Sequence, residues 1–181
     1  GIAIGGHSTA SAIQTIALGG ATASADSAIA LGWSSMASGE NAVVLGAYST
    51  AADQGVAVGA NVTAAGYGAV AIGGSDVTPI LGASIGGIST VPSVYSSTRA
   101  SGNASVAYGS GSFASTDGAA AIGSMATASG SMGTALGLYA RATSDYGVAL
   151  GAGSVTDAPS STAAQAFGVT QFGAGVIAGE G

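Results

Sequence analysis

The chain has 181 residues, 33 of them glycine and only 6% charged, with 8 acidic against 2 basic residues and a net charge of −6. A water-soluble globule ordinarily carries about a quarter charged residues, so this chain meets water through serine, threonine and backbone. Its two cations, Arg99 and Arg141, cannot line a phosphate-tracking face, which argues against a nucleic-acid partner; cysteine is absent, and no stretch reaches the ~18 consecutive apolar residues of a membrane helix.

From residue 1 onward one signature returns: aliphatic, Ala, aliphatic, Gly. Its glycines are Gly5, Gly19, Gly32, Gly46, Gly59, Gly73, Gly86, Gly109, Gly123, Gly137 and Gly151, at steps of 14, 13, 14, 13, 14, 13, 23, 14, 14 and 14. So short a period, held so long, predicts a solenoid. Residue 1 already lies inside a repeat, as expected of a piece of a longer protein.

Three positions before each Gly stand Ile2, Ile16, Ile29, Val43, Val56, Val70, Val106, Ala120, Thr134 and Val148. One position before stand Ile4, Leu18, Leu31, Leu45, Val58, Ile72, Ile85, Tyr108, Ile122, Leu136 and Leu150. The residue between is Ala in nine of eleven units, with Val44 and Ser84 the exceptions. A spacing of two marks a β-strand with unlike faces. A coil of about 14 residues holds two strands of some 4 to 5 residues and two turns. Its interior is narrow, so Ala and Ser are expected inside and the aliphatic rows outside.

The second half of each unit places Ser or Thr three after the Gly (Ser8, Thr22, Ser35, Ser49, Ser112, Ser154) and Ala five after it (Ala10, Ala37, Ala51, Ala64, Ala114, Ala128, Ala142). This predicts a second short strand with a small-residue inner face. Gly39, Gly66 and Gly130, with Asp26, Asp53, Asp117 and Asp145, mark turns that call for positive φ or side-chain hydrogen bonds. Eleven or twelve stacked rungs would give a rod on the order of 50 to 60 Å long. One side of it would carry a stripe far larger than the few hundred Å² of contiguous apolar surface a monomer tolerates. The stripe comprises Ile16, Leu18, Ile29, Leu31, Val43, Leu45, Val56, Val58, Val70, Ile72, Ile122, Leu136, Val148 and Leu150. Self-association with closed rotational symmetry is the natural cover.

The segments Asn41-Ala-Val-Val-Leu-Gly46, Gly68-Ala-Val-Ala-Ile-Gly73, Ala104-Ser-Val-Ala-Tyr-Gly109 and Gly147-Val-Ala-Leu-Gly151, each followed by a Ser-x-Ala-x-Gly-like half repeat, resemble the head repeats of YadA-type trimeric autotransporter adhesins. The resemblance covers residues 1–156. It implies an all-β, left-handed parallel β-roll, assembled as a homotrimer and displayed on the outer surface of a Gram-negative bacterium. It also implies binding to extracellular-matrix proteins such as collagen, fibronectin or laminin, or to other surfaces. The neck motif that usually closes such heads is not recognisable, nor is a C-terminal membrane anchor, so membrane attachment is expected only through an anchor outside this fragment.

The long step from Gly86 to Gly109 predicts an insertion over residues 87–102, ejected from the stack at Pro92. It is either a tolerated loop or a recognition loop offering Tyr95 and Arg99. After Gly151 the phase decays, and residues 157–181 read as an end cap or as the lead into a further domain.

Carboxylates recur six residues before the Gly at Asp26, Glu40, Asp53, Asp117 and Asp145. They lack the clustering of calcium-binding rolls and are expected to cap turns; no metal or cofactor is expected. His7 is the lone histidine and Lys is absent, so the usual parts of nucleophilic or phosphoryl-transfer catalysis are missing and the chain does not read as an enzyme. Tyr48 and Tyr139 share the phase two after the Gly. Met36, Thr50, Thr63, Phe113, Thr127 and Arg141 share the phase four after it. With Tyr95 and Arg99, the side chains of Tyr48, Phe113, Tyr139 and Arg141 are the candidates for ligand contact, through weak contacts multiplied by copy number. An adhesin head is the primary reading, and a ligand-free spacer of a surface or phage tail fibre is the alternative. Ice binding is disfavoured because Met36, Phe113 and Arg141 interrupt the threonine row.

Overall fold

The computed structural model describes residues 1–75, 84–85, 88–89 and 97–156. Each coil contributes one strand to each of two ten-stranded parallel sheets, in chain order. Sheet A holds Ile2–Ile4, Ile16–Leu18, Ile29–Leu31, Val43–Leu45, Val56–Val58, Val70–Ile72, Val106–Tyr108, Ala120–Ile122, Thr134–Leu136 and Val148–Leu150. Sheet B holds Thr9–Ala10, Thr22–Ala23, Met36–Ala37, Thr50–Ala51, Val62–Ala64, Thr98–Ala100, Phe113–Ala114, Thr127–Ala128, Arg141–Ala142 and Val155–Thr156. The protein is a parallel β-solenoid, as the period predicts.

The register stacks like on like: Ala17 pairs with Ala30, which pairs with Val44 and so on, while Leu18, Leu31 and Leu45 form their own row. The interior is almost entirely alanine, with Ala17, Ala30, Ala57, Ala71, Ala107, Ala121 and Ala135 of sheet A at 0% exposure against Ala23, Ala37, Ala64, Ala100, Ala114, Ala128 and Ala142 of sheet B. Among the described residues Val44 and Val62 are the largest fully buried side chains. Side chains this small bury little apolar area each, so cohesion rests heavily on backbone hydrogen bonds between rungs. Those bonds continue through the corners. Asn41, Gln54 and Gly68 donate their N–H groups to the carbonyls of Asp26, Glu40 and Asp53, and Tyr48 and Asn61 donate to Trp33 and Ala47 across the other corner.

That continuity holds thirteen non-glycine residues among those described at positive φ, including Gln14, Tyr48, Gln54, Ala104, Met125 and Tyr139, all between 51° and 63°. The expected turn glycines behave differently. Gly39, Gly66 and Gly130 are not in the left-handed region; a Cβ there would collide with the backbone of Asp53, Gly102 and Ser144 in the following rung. Close rung-to-rung approach, not φ, requires glycine at these three corners. The repeat glycines carry both constraints: Gly59 has φ +121° and no room for a Cβ against the carbonyl of Gly73.

Three expectations are corrected. The described residues form ten rungs, not eleven or twelve, a stack of roughly 43 Å at about 4.8 Å per rung. The unit ending at Gly86 is not a rung: Val70–Ile72 pairs directly with Val106–Tyr108, and Ser84–Ile85 instead pairs antiparallel with Ile88–Ser89. From Gly73 to Gly109 is 36 residues, one 14-residue coil plus 22, so the register places the insertion at residues 76–97 rather than 87–102. The signature Ser84-Ile85-Gly86 imitates a rung because two residues and a Gly are a weak marker alone. Thr22 belongs to the outer row, paired with Thr9 and Met36, because the corner after Gly19 is one residue short and brings Ala21 into the buried phase.

Thr98 fastens the two ends of the insertion. Its N–H donates to the Gly74 carbonyl at 3.2 Å. Its buried hydroxyl accepts from Gly74 N–H at 3.1 Å and lies 2.9 Å and 2.8 Å from the carbonyl oxygens of Gly74 and Gly109. Residues 157–181, read from sequence as a cap or a lead-in, lie outside the described residues.

Candidate functional site

Because alanine fills the interior, the apolar side chains larger than valine among the described residues are left on the outside, and three surfaces divide them. The first is the outer face of sheet A. Alternation turns Ile16 and Leu18, Ile29 and Leu31, Val43 and Leu45, Val56 and Val58, Val70 and Ile72 away from the interior, half-buried by their row neighbours, with Leu45 at 39% exposure. The rows continue through Ile122 and Leu136 to Val148 and Leu150, and Leu150 at the end of the stack is 70% exposed. The residues expected at a seam thus form two rows, aliphatic throughout the first six rungs and interrupted beyond them by Tyr108, Ala120 and Thr134, which the described residues leave uncovered.

The second surface is the outer row of sheet B. The register links Thr9, Thr22, Met36, Thr50, Thr63, Arg99, Phe113, Thr127, Arg141 and Val155 in one line. It brings together Arg99, Phe113 and Arg141. Arg99, expected in a loop, is instead a strand residue between Thr63 and Phe113. Both cations of the chain therefore stand in this row, three rungs apart. Tyr95 lies outside the described residues.

The third surface is formed by the corners. Tyr48 and Tyr139 occupy the corner after the repeat Gly, at φ 57° each, five rungs apart and off the sheet B row, so they do not join Phe113 in one site. At the opposite corner the carboxylates form a column. Asp26, Asp53, Asp117 and Asp145 accept from the N–H groups of Ile13, Glu40, Asn103 and Ser131 at 3.0, 3.1, 2.8 and 2.8 Å, each one rung earlier. Asn103 caps Tyr67 N–H in the same way at 3.0 Å. Glu40 differs from expectation: its own N–H receives the cap from Asp53. Among the described residues no group of three or more His, Cys, Asp or Glu side chains converges as a metal site would need.

Sequence reasoning passed over Trp33, the one tryptophan of the chain. Its ring lies over Gly20, where a Cβ would stand 2.7 Å from Cε3, and its plane is perpendicular to that of His7 at a centroid distance of 6.4 Å. The signal was available in the 13-residue step from Gly19 to Gly32, which removes one residue from the corner between His7 and Trp33.

Comparison with known families bears on these surfaces. The family model for the YadA head domain repeat, in two copies, matches residues 1–22, 19–35, 23–49, 128–154 and 142–164. No curated protein matches the chain. The matched stretches lie on both sides of the insertion, so both portions of the stack carry the same repeat, and their glycine phase is the one that sheets A and B display.

Proposed function

We propose that this YadA-like head is the contact element of a trimeric adhesin on a bacterial surface. Three copies stand side by side, with their sheet A rows turned to a shared axis. The observation that carries the proposal is the outer face of sheet A, aliphatic in both rows over its first six rungs and again at Val148 and Leu150, and left uncovered by the described residues, since a lone soluble chain does not sustain so large an apolar face. Burying Leu18, Leu31, Leu45, Ile72 and Leu136 against two other chains removes it, and closed three-fold symmetry ends the association at a finite rod.

With sheet A committed to the axis, sheet B and the corners are left for ligand. The row through Arg99, Phe113 and Arg141 offers two cations, an aromatic ring and threonine hydroxyls. The heads that this chain resembles act by adhesion, not catalysis. Matrix proteins such as collagen, fibronectin or laminin suit contacts of this kind, each weak and repeated three times around the rod.

Solid-phase binding of the purified chain to those three proteins, with its mass in solution measured in parallel, tests the reading. Saturable binding by a species of three chains supports it. A trimer that binds none of them above a control protein indicates the spacer alternative. A monomer overturns the packing on which both rest.

A further inference from the structure

We propose that the recess between His7, Gly20 and Trp33 is a binding site for a neutral pyranose sugar. Three independent features build it. The corner after Gly19 has one residue fewer than the corners on either side, which hold Gly6-His7 and Trp33-Ser34, so a notch one residue deep is cut into an otherwise even edge. The Trp33 indole leans over the bare Cα of Gly20 at the base of this notch, where even a methyl group would strike the ring at 2.7 Å. His7, two rungs back, closes the far side with its ring perpendicular to the indole.

The result is an open recess of about 350 Å³ lined by His7, Gly20, Trp33 and Ser34. Trp33 nevertheless keeps 56% of its surface exposed, which is unusual for the largest apolar side chain of a protein. The next corner presents only Ala47 at the same phase, too small to cover the indole. An aromatic platform beside polar edges selects for a ligand with one apolar face and a polar rim. A pyranose ring has this shape, with axial C–H bonds on one face and hydroxyls around it. Ser34 Oγ and the His7 imidazole are the hydrogen-bonding groups at the rim. No carboxylate and no arginine lines the recess, so a neutral sugar fits better than an anionic one.

This site is separate from the sheet B row and does not depend on matrix-protein binding. The probes are methyl β-galactopyranoside and methyl β-glucopyranoside, added to the intact chain. Ligands of about 13 non-hydrogen atoms at ordinary efficiency bind with a dissociation constant on the order of 1 mM. Because Trp33 is the only tryptophan, its emission reports occupancy directly. A saturable shift with at least one of the two sugars in the millimolar range is expected, together with saturation transfer from protein to the axial ring protons in NMR. Trp33→Ala should reduce the transfer at least tenfold and His7→Ala several-fold. Tyr67→Ala, which removes an exposed ring from the opposite corner, should leave it unchanged. If Trp33→Ala does not fold, the emission titration of the parent chain and the His7→Ala comparison still decide. Emission unmoved by both sugars at 50 mM, or equal transfer in parent and His7→Ala or Trp33→Ala proteins, overturns the site. So does an emission already blue-shifted in the assembled protein and silent to sugar, which would place Trp33 at a contact between chains.

Discussion

The Asp117 carboxylate reaches one full rung back to accept the backbone N–H of Asn103, with Oδ1 2.8 Å from the nitrogen, while Asn103 Oδ1 in turn accepts from Tyr67 N–H at 3.0 Å. Each cap satisfies a donor that the corner leaves without a ladder partner. Asp117→Ala should lower the unfolding free energy by about 1 kcal/mol, and Asp117→Asn, which keeps an acceptor at the same reach, by less than half of that. Urea unfolding of the two variants at neutral pH checks the difference; equal losses would mean that the cap is not the source.

At Gly59 a left-handed backbone and a collision with the Gly73 carbonyl coincide. Gly59→Ala must either strain the corner or push neighbouring rungs apart, at about 3 kcal/mol or more. Gly6→Ala is the matched control, with nothing within 4 Å of the added methyl and an expected change inside ±0.5 kcal/mol. Thermal unfolding followed by circular dichroism should separate the two by roughly 10 °C.

Ala104 is held at φ 51° without a side chain able to ease it, whereas Gly68 meets the same corner at φ 63° with open space around its Cα. Exchanging the two types should therefore move stability in opposite directions. Ala104→Gly is expected to gain about 0.5 kcal/mol after the entropy of the freer unfolded chain is subtracted, and Gly68→Ala to lose about 1 kcal/mol. Denaturant midpoints with unchanged m-values provide the measurement.

Leu31 lies in the middle of the outer face of sheet A, with Leu18 and Leu45 on either side. Leu31→Asp places three carboxylates near the proposed axis, and light scattering should find one third of the parent mass. Because the side chain points away from the alanine interior, the β-rich circular dichroism of the separated chains should persist. An unchanged mass would refute the placement of that row.

Much of this architecture is readable from residue order. The alternation Ile16-Ala17-Leu18 tells inside from outside, because only a small side chain fits within so tight a coil, and the recurrence of Asp at positions 26, 53, 117 and 145 foretells four of the caps. Other features are hidden for identifiable reasons. Tyr48, Met125 and Ala104 stand where glycine would be expected, since inter-rung hydrogen bonds at the corners offset a strain of about 1 to 2 kcal/mol per residue. Gly39 looks like a turn glycine but answers to the backbone one rung away, which lies 14 residues along the chain. Ser84-Ile85-Gly86 repeats the local spelling of a rung without the partners that make one. Trp33 stands out by composition alone, and only the stack shows that it leans on Gly20.

The buried threonine at position 98 gives the solenoid a further property. By clasping Gly74 and bridging to Gly109, it lets twenty-two residues be spliced in at a single corner while the alanines on both sides stay in phase. That corner is a ready-made port for grafting. Epitopes or tags exchanged for residues 76–97 would ride on an undisturbed scaffold, and a threefold assembly would display each of them three times at one height along its axis.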